Sequence, residues 1–456
     1  MKTYPKMKDS GVKWIGEIPE HWITSRVKHL VDKTKYYQIG DGDHGSIKPE
    51  MYVEEGIPYI RVQNLSWNGK INAKGLVYIP EQIHKSNLKS QIIEGDLLIA
   101  KTGATIGKLG LVDKSIGISN TTSSVGKITI DNSKYSNLFY LFYFQSLPFQ
   151  EQIWVSGIQK SAQPGFNIDD LVDFDTLVPT LSEQKQIVEF LNRETSRIEL
   201  EIERNQKLIK LVQEKRQILI NDVVTKGIKP SVSMKDSGVK WIGEIPEHWE
   251  IGILKNYSTH VTKGATPTTY GFDWSDNEDD ILFIRNECIK ENQFNLEGSL
   301  RISKKAHEFM KRSKVYPNDI LISITGEIGK ACIFPEGLGE SNINQHIARV
   351  STISKKIFPK YLVNLLNSNK FRTYFEIINQ GLTHAHLNLE QVRNTRIIIP
   401  PLNEQEKIGK FLDIKNTQID SFITKTKLQI KNLKEYNQSL ISSAVTGKID
   451  VRETVT

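Results

Sequence analysis

The sequence predicts an α+β protein: two tandem, pseudo-symmetric α/β heads separated by two long helices that pair as an antiparallel coiled coil. Three observations carry this. The 16-residue string MKDSGVKWIGEIPEHW runs from Met7 to Trp22 and recurs unchanged from Met234 to Trp249. A second matched pair closes each half, VPTLSEQKQIVEFL (Val178 to Leu191) against IPPLNEQEKIGKFL (Ile399 to Leu412). From each closing motif an apolar seam runs on without interior proline or glycine, as far as VVTKG (Val223 to Gly227) and AVTGK (Ala444 to Lys448). A duplication at half the chain length excludes a solenoid, whose periods run at about 20–50 residues.

The seam of the first helix takes Leu191, Thr195, Ile198, Ile202, Asn205, Ile209, Val212, Arg216, Leu219 and Val223. The second takes Leu412, Asn416, Ile419, Ile423, Thr426, Ile430, Leu433, Asn437, Leu440 and Ala444. Steps of alternately four and three residues define a coiled-coil stripe, and polar residues at matching layers fix register. A helix with one apolar stripe must bury it, and the matching stripe lies on the other helix. Connectivity makes the pair antiparallel, because the first helix leads to the second head and the second helix must return. Ser182 and Asn403 are the expected N-caps, with Glu183 and Glu404 in the first turn, where negative charge favours the helix dipole.

Within each half the interior has diverged. GDLLIAKTG (Gly95 to Gly103) and NDILISITG (Asn318 to Gly326) read as buried strands ending in a glycine turn, and LFYLFYFQS and YLVNLLNS as buried helices. A shared mounting with unlike interiors implies two readers of different targets. The expected divisions are residues 1–179 for the first head, 180–228 for the first long helix, 229–400 for the second head, and 401–456 for the second helix and tail.

Composition bounds the class. Hydrophobic residues make up 38% and charged residues 25%, as in a globular protein, and the net charge of +7 favours polyanionic partners. The longest apolar stretch, Leu138 to Phe144, falls far short of the roughly 20 residues that span a bilayer. The polar start, Met1 to Lys6, has none of the apolar core of a secretory signal, so the expected location is cytoplasmic. Two cysteines, Cys288 and Cys332, suit a reducing compartment and make a zinc cluster improbable.

Several catalytic readings fail on spacing. GATIGK (Gly103 to Lys108) has three residues between its glycines and Leu109 after the lysine, whereas a P-loop needs four and a Ser or Thr. The second copy, Gly326 to Lys330, is shorter still. Glu183, Gln184 and Lys185 after Asp175 imitate a nuclease site, yet the counterpart of Lys185 is Glu406. His346, His384 and His386 have no matching histidines in the first half and no cysteine partners, so no metal is expected. Glu17, Glu20 and His21 recur identically in both halves, which suits a shared mounting with Trp14, Trp22, Trp241 and Trp249 packed against the cores. A Gly-rich cofactor turn and an Asn/Asp-Pro-Pro-aromatic tetrad, both needed for methyl transfer, are absent from the sequence. No catalytic residue is assigned, and no cofactor is expected on this chain.

The doubled frame, KDSGVKWIGEIPEHW, then GDLLIAKTG and NDILISITG, then PxLxEQ at each long helix, resembles the DNA specificity subunit of type I restriction-modification systems over nearly the whole chain. The resemblance implies that each head is a target recognition domain reading one half of a split, asymmetric duplex site, and that the helices act as a ruler. A helix of about 43 residues spans roughly 65 Å, more than one DNA turn of about 34–36 Å. It also implies two methyltransferase subunits using S-adenosylmethionine, and restriction subunits with ATP-driven translocation and Mg. The alternative is a coiled-coil scaffold without base recognition.

Candidate DNA contacts follow from side-chain chemistry. Arg61, Gln63 and Asn64 in the first head, and Arg285, Asn286, Asn344 and Gln345 in the second, are able to make paired hydrogen bonds to base edges in the major groove. Lys101, Thr102, Lys108, Thr325 and Lys330 sit at strand-end turns suited to phosphate. Gln159 and Lys160 occupy a loop matching Thr383 and His384, and His384 is a further contact candidate.

Overall fold

The computed structural model describes residues 2–158, 164–229, 231–379 and 386–452. The chain forms two compact units, Met1–Asn205 with Leu428–Thr456, and Gln206–Lys427.

In the first unit the opening motif folds as a hairpin, Met7–Asp9 antiparallel to Glu17–Pro19. Ile23–Arg26 then pairs with Asp175–Val178, Thr24 opposite Leu177, so the start and end of the head are stitched together beside the long helix. Two four-stranded sheets lie between. One has the order Ile39–Asp41, Val125–Ile128, Leu97–Ala100, Leu109–Leu111. The other runs Val77–Ile79, Ile57–Ile60, Ser119–Thr121, Gln91–Ile92. The unbroken apolar run Leu97 to Ala100 is buried on both faces, as a strand without polar alternation must be.

The second unit repeats this plan. Met234–Asp236 pairs with Glu244–Pro246, and Glu250–Ile253 with Arg396–Ile399. Its sheets are ordered Ser258–Lys263, Ile347–Thr352, Ile320–Ser323, Ala331–Ile333, and Leu300–Ile302, Ile281–Ile284, Ser341–Ile343, Lys314–Val315. Equivalent buried polar groups recur with it. In the first head His84 Nδ1 lies 2.5 Å from Asn120 Oδ1, and Asn120 donates to Ser90 Oγ at 2.6 Å. In the second, His307 meets Asn342, which donates to Ser313 Oγ at 2.6 Å. Each trio ties the short helix of its head to a central strand.

The aromatic segment forms the helix Asn137–Gln145, capped by Ser136 Oγ, which accepts from the Phe139 N–H. Its counterpart is Pro359–Leu366, with proline in the first turn, where no intrahelical N–H is lost. Tyr140 and Tyr361, both fully buried, donate to the carbonyls of Leu177 and Ile398 at 3.1 and 3.0 Å. Each phenol thus anchors the strand that leads into a long helix.

Those helices span Leu181–Lys226 and Leu402–Val445, 46 and 44 residues. Every seam position named above is buried or half-buried. In the first unit Ile198 and Ile202 share a core with Leu433 and Leu440. In the second, Arg216 pairs with Asp420 while Val223 shares a core with Leu412, so index rises on one segment as it falls on the other. In the second unit the paired segments are therefore antiparallel.

The expected caps need correction. Ser182 and Asn403 lie inside the helices, because each helix starts one residue earlier. Thr180 is the cap: its Oγ1 accepts from the Glu183 N–H at 3.3 Å, and Glu183 Oε2 accepts from the Thr180 N–H at 3.3 Å. Reciprocal satisfaction of two end donors outcompetes a cap two positions later. In the second helix the Pro401 carbonyl receives the N–H groups of Glu404 and Gln405.

Candidate nucleic-acid interface

The second head carries an open concavity of about 500 Å³. Its position follows from one parallel pairing. Ile281–Ile284 and Ser341–Ile343 run in the same direction, with Phe283 opposite Asn342 and Ile284 opposite Ile343. Parallel strands end at the same edge, so Arg285–Asn286 and Asn344–His346 emerge side by side although they are far apart in sequence. Strand Ile320–Ser323 delivers Thr325 and Gly326 to the same rim, and Trp274 and Phe283 supply an aromatic wall. Arg285, Asn286, Thr325, Asn344 and Gln345 all line this concavity.

Within it the polar groups are ordered by one another. Asn286 Nδ2 donates to the Thr325 carbonyl at 3.1 Å, and Asn344 Oδ1 accepts from the His346 N–H at 3.1 Å. Thr266 Oγ1 donates to Gln345 Oε1 at 2.5 Å, while Gln345 Nε2 lies 2.8 Å from His346 Nε2. Thr266 and Glu287 carry no mark in the sequence beyond an acid two places after arginine in FIRNE, and His346, weighed there only as a metal ligand, stands among the polar groups of this concavity. The Glu287 carboxyl is held below the ordinary glutamate range by a hydrogen bond from its own backbone N–H and by Arg285, against a smaller opposing effect of burial. Lys330 stands apart, paired with Glu327 at 2.5 Å.

The first head builds the same edge. Ile57–Ile60 is parallel to Ser119–Thr121, with Tyr59 opposite Asn120. Arg61 follows the first of these strands, its Nη2 donating to the Gly75 carbonyl at 3.1 Å and its guanidinium 5.8 Å from the Tyr52 ring centre. Gln63 is exposed, and Thr102 and Lys108 are half-buried. Two candidates leave the set. Asn64 is fully buried, its Oδ1 accepting from the Arg61 N–H at 3.0 Å and its Nδ2 donating to the Asn72 carbonyl at 3.1 Å, so both ends of its amide are spent on the turn. Lys101 is 5% exposed and sits 2.5 Å from the half-buried Asp41, an ion pair that phosphate contact would have to break. Gln159, Lys160 and His384 lie outside the described residues.

The turns that imitate a P-loop are packing turns. Gly107 has φ +86°, and a Cβ there would stand 2.2 Å from Gln150 Oε1; Gly329 has φ +81°, and its Cβ would meet Phe375 at 2.7 Å. Glycine is required in both because the turn is left-handed and lies against a helix. Among the described residues no group of three or more His, Cys, Asp or Glu side chains is placed to hold a metal, and no helix is long and apolar enough to cross a membrane.

A duplicated pair of heads, each with a polar edge at the ends of parallel strands and each mounted on a long coiled-coil helix, defines a two-headed recognition protein. Residues 30–210 and 246–433 match the type I restriction modification DNA specificity domain, and the chain belongs to that family. It is a DNA-specificity subunit and not a catalytic one. It is 22% identical over 453 residues to the type I restriction enzyme EcoBI specificity subunit of Escherichia coli, covering 98% of this chain and 90% of that one. It is 24% identical over 450 residues to the MjaVIII specificity subunit of Methanocaldococcus jannaschii, covering 95% and 94%. Among solved structures, one described under complex assembly and conformational transition of the type I R-M system has TM-score 0.74 at 18% identity, covering 95% of this chain and 99% of that one. The HsdS subunit from Thermoanaerobacter tengcongensis has TM-score 0.56 at 17% identity, with 95% and 98% covered. At these identities the structures speak for the fold.

Proposed function

We propose that the two heads, target recognition domains at residues 1–179 and 229–400, each read one half of an asymmetric, bipartite duplex site. The observation that carries this is the parallel pairing of Phe283 with Asn342, repeated as Tyr59 with Asn120, which gathers different polar side chains along equivalent edges of the two heads. Two-fold readers with identical heads read palindromes. These heads differ at the edge, so the halves of the site differ. Arg61 and Gln63 in the first head, and Arg285, Asn286, Asn344 and Gln345 in the second, address base edges; Thr102, Lys108, Thr325 and Lys330 address phosphates.

In this reading two methyltransferase subunits and the restriction subunits assemble on this chain in the cytoplasm. S-adenosylmethionine, ATP and Mg belong to those partners. The test is methylation mapping of genomic DNA in cells carrying the chain with its methyltransferase partner, before and after exchange of the first head's interior, residues 30–171, for that of another reader. A split motif of which one half changes is the expected result. A motif that does not depend on this chain would overturn the reading.

A further inference from the structure

At the rim of the second head's concavity, Arg285 and Glu287 form a fork of one hydrogen bond and one close ion-pair contact. Arg285 Nη2 lies 3.0 Å from Glu287 Oε1, and Nε donates to Oε2 at 3.3 Å. The side chains are 34% and 58% exposed, so the pair faces the open side of the concavity. The fold makes room for it at Gly298, φ +87°, where an added Cβ would stand 3.1 Å from Glu287 Cβ and 3.9 Å from Arg285 Nη2.

The geometry of the fork decides what the arginine has left to offer. Its Nε–H is committed to the carboxylate and its Nη2 is ion-paired with it, so the donors that point away from Glu287 are those of Nη1 and the outward N–H of Nη2. Two parallel donors on the end of a guanidinium match two adjacent acceptors. In the major groove only guanine presents such a pair, N7 and O6; adenine sets a donor beside its N7, and thymine has the single acceptor O4. The unshared lone pairs of Glu287 accept hydrogen bonds only, and the neighbouring group on a G·C pair is the cytosine N4 amine, a donor. A carboxylate facing the phosphate-rich duplex costs affinity, an expense consistent with a role in discrimination.

We infer that Arg285 reads one guanine in the half-site of the second head, with Glu287 as the positioning residue that holds the guanidinium end-on; the inference rests on the reading of this edge as a DNA-contacting surface. Among the described residues, the edge of the first head has no such fork. Its Arg61 is tied to the Gly75 carbonyl, and the residue two places on is Gln63, an exposed amide that both donates and accepts.

The experiment is methylation mapping with the full chain and its methyltransferase partner, for the wild type, Glu287→Gln, Arg285→Lys and a chain whose second-head interior is exchanged. The exchange identifies the half-site of that head. That half is expected to contain an invariant guanine, and both point variants are expected to lower discrimination at that base by roughly tenfold or more while leaving every other position unchanged. Retention of full discrimination by both variants, in a half that does follow the exchange, would overturn the assignment while leaving the two-headed reading in place. If neither half follows the exchange, the two-headed reading falls and the assignment with it.

Discussion

His21 Nε2 lies 2.8 Å from Glu183 Oε1, and this contact joins the two duplicated motifs of the first half to each other. Trp22 Nε1 reaches the same oxygen at 3.4 Å. The second half repeats the arrangement with His248 at 2.8 Å and Trp249 at 3.0 Å on the two oxygens of Glu404. GEIPEHW and PxLxEQ are therefore two sides of one mounting, in which the head's first hairpin is clasped to the first turn of the long helix.

This clasp predicts an acid limb of stability. Burial raises the Glu183 carboxyl, but hydrogen bonds from His21, Thr180 and Trp22 together outweigh it and leave the pKa below the ordinary range. A depressed carboxylate stabilises the fold fully above the unfolded pKa of about 4.3, and the contribution is lost as pH falls through the lower folded value. Thermal melts of wild type and Glu183→Gln are expected to differ most above about pH 4.3 and to converge in stronger acid. A gap that stays constant into acid would exclude the clasp as its source.

Gln184 and Gln405, both fully buried, each satisfy backbone groups at the helix start. Gln184 accepts from the Ser136 N–H at 2.8 Å and donates to the Pro179 carbonyl at 3.0 Å; Gln405 accepts from the Phe358 N–H at 2.9 Å and donates to the Pro400 carbonyl at 2.8 Å. Alanine at either position is expected to cost about 1–3 kcal/mol in denaturant titration, from the buried groups left unpaired. A cost near zero would mean that water takes over the amide's bonds.

Asn342 bonds His307, Ser313 and the Met310 carbonyl from a fully buried position. Asn342→Leu keeps the volume and strands three polar partners, for an expected loss of about 2–4 kcal/mol. Asn120→Leu is expected to behave alike in the first head. Equal stability of variant and wild type by urea unfolding would remove the trio from the framework.

Arg216 occupies a polar layer of the seam and pairs with Asp420, which also accepts from Gln293 Nε2 at 3.1 Å. The two side chains are 22% and 38% exposed, so screening limits the pair. The coupling from a double-mutant cycle is expected to stay under about 1 kcal/mol, with Arg216→Met plus Asp420→Leu close to wild type in stability. A coupling of several kcal/mol would show a pair dominated by burial.

Cys288 and Cys332 are free and buried, and burial pushes the Cys332 thiol up to about 12 and raises that of Cys288. The thiolate is the reactive form. Iodoacetamide at pH 8 is expected to leave the native chain unlabelled and to modify both cysteines in denaturant, as mass spectrometry would show; labelling of the native chain would place one of them at the surface.

The candidate site was legible in part. Arg285, Asn286, Asn344 and Gln345 stand out by their paired donors and acceptors at diverged loops and Thr325 by its strand-end turn, and the five line one concavity. Glu287 escaped because an acid is an unexpected neighbour for DNA, and its role depends on a fork that only coordinates display. Asn64 and Lys101 were chosen on the same chemistry as Arg61 and Thr102, yet burial turned them inward. Side-chain type does not record which face of a turn is covered.

The sequence by itself determined the duplication, the two heads, the helical seams and the family, because exact repetition and the four-three step of apolar residues are properties of order along the chain. Tertiary structure alone decided which polar residues meet at each edge and which are consumed by the mounting. That choice depends on the parallel pairing of strands separated by most of a head, on a carboxylate reaching a histidine 162 positions away, and on burial, and none of these has a local signature in the residues that carry it.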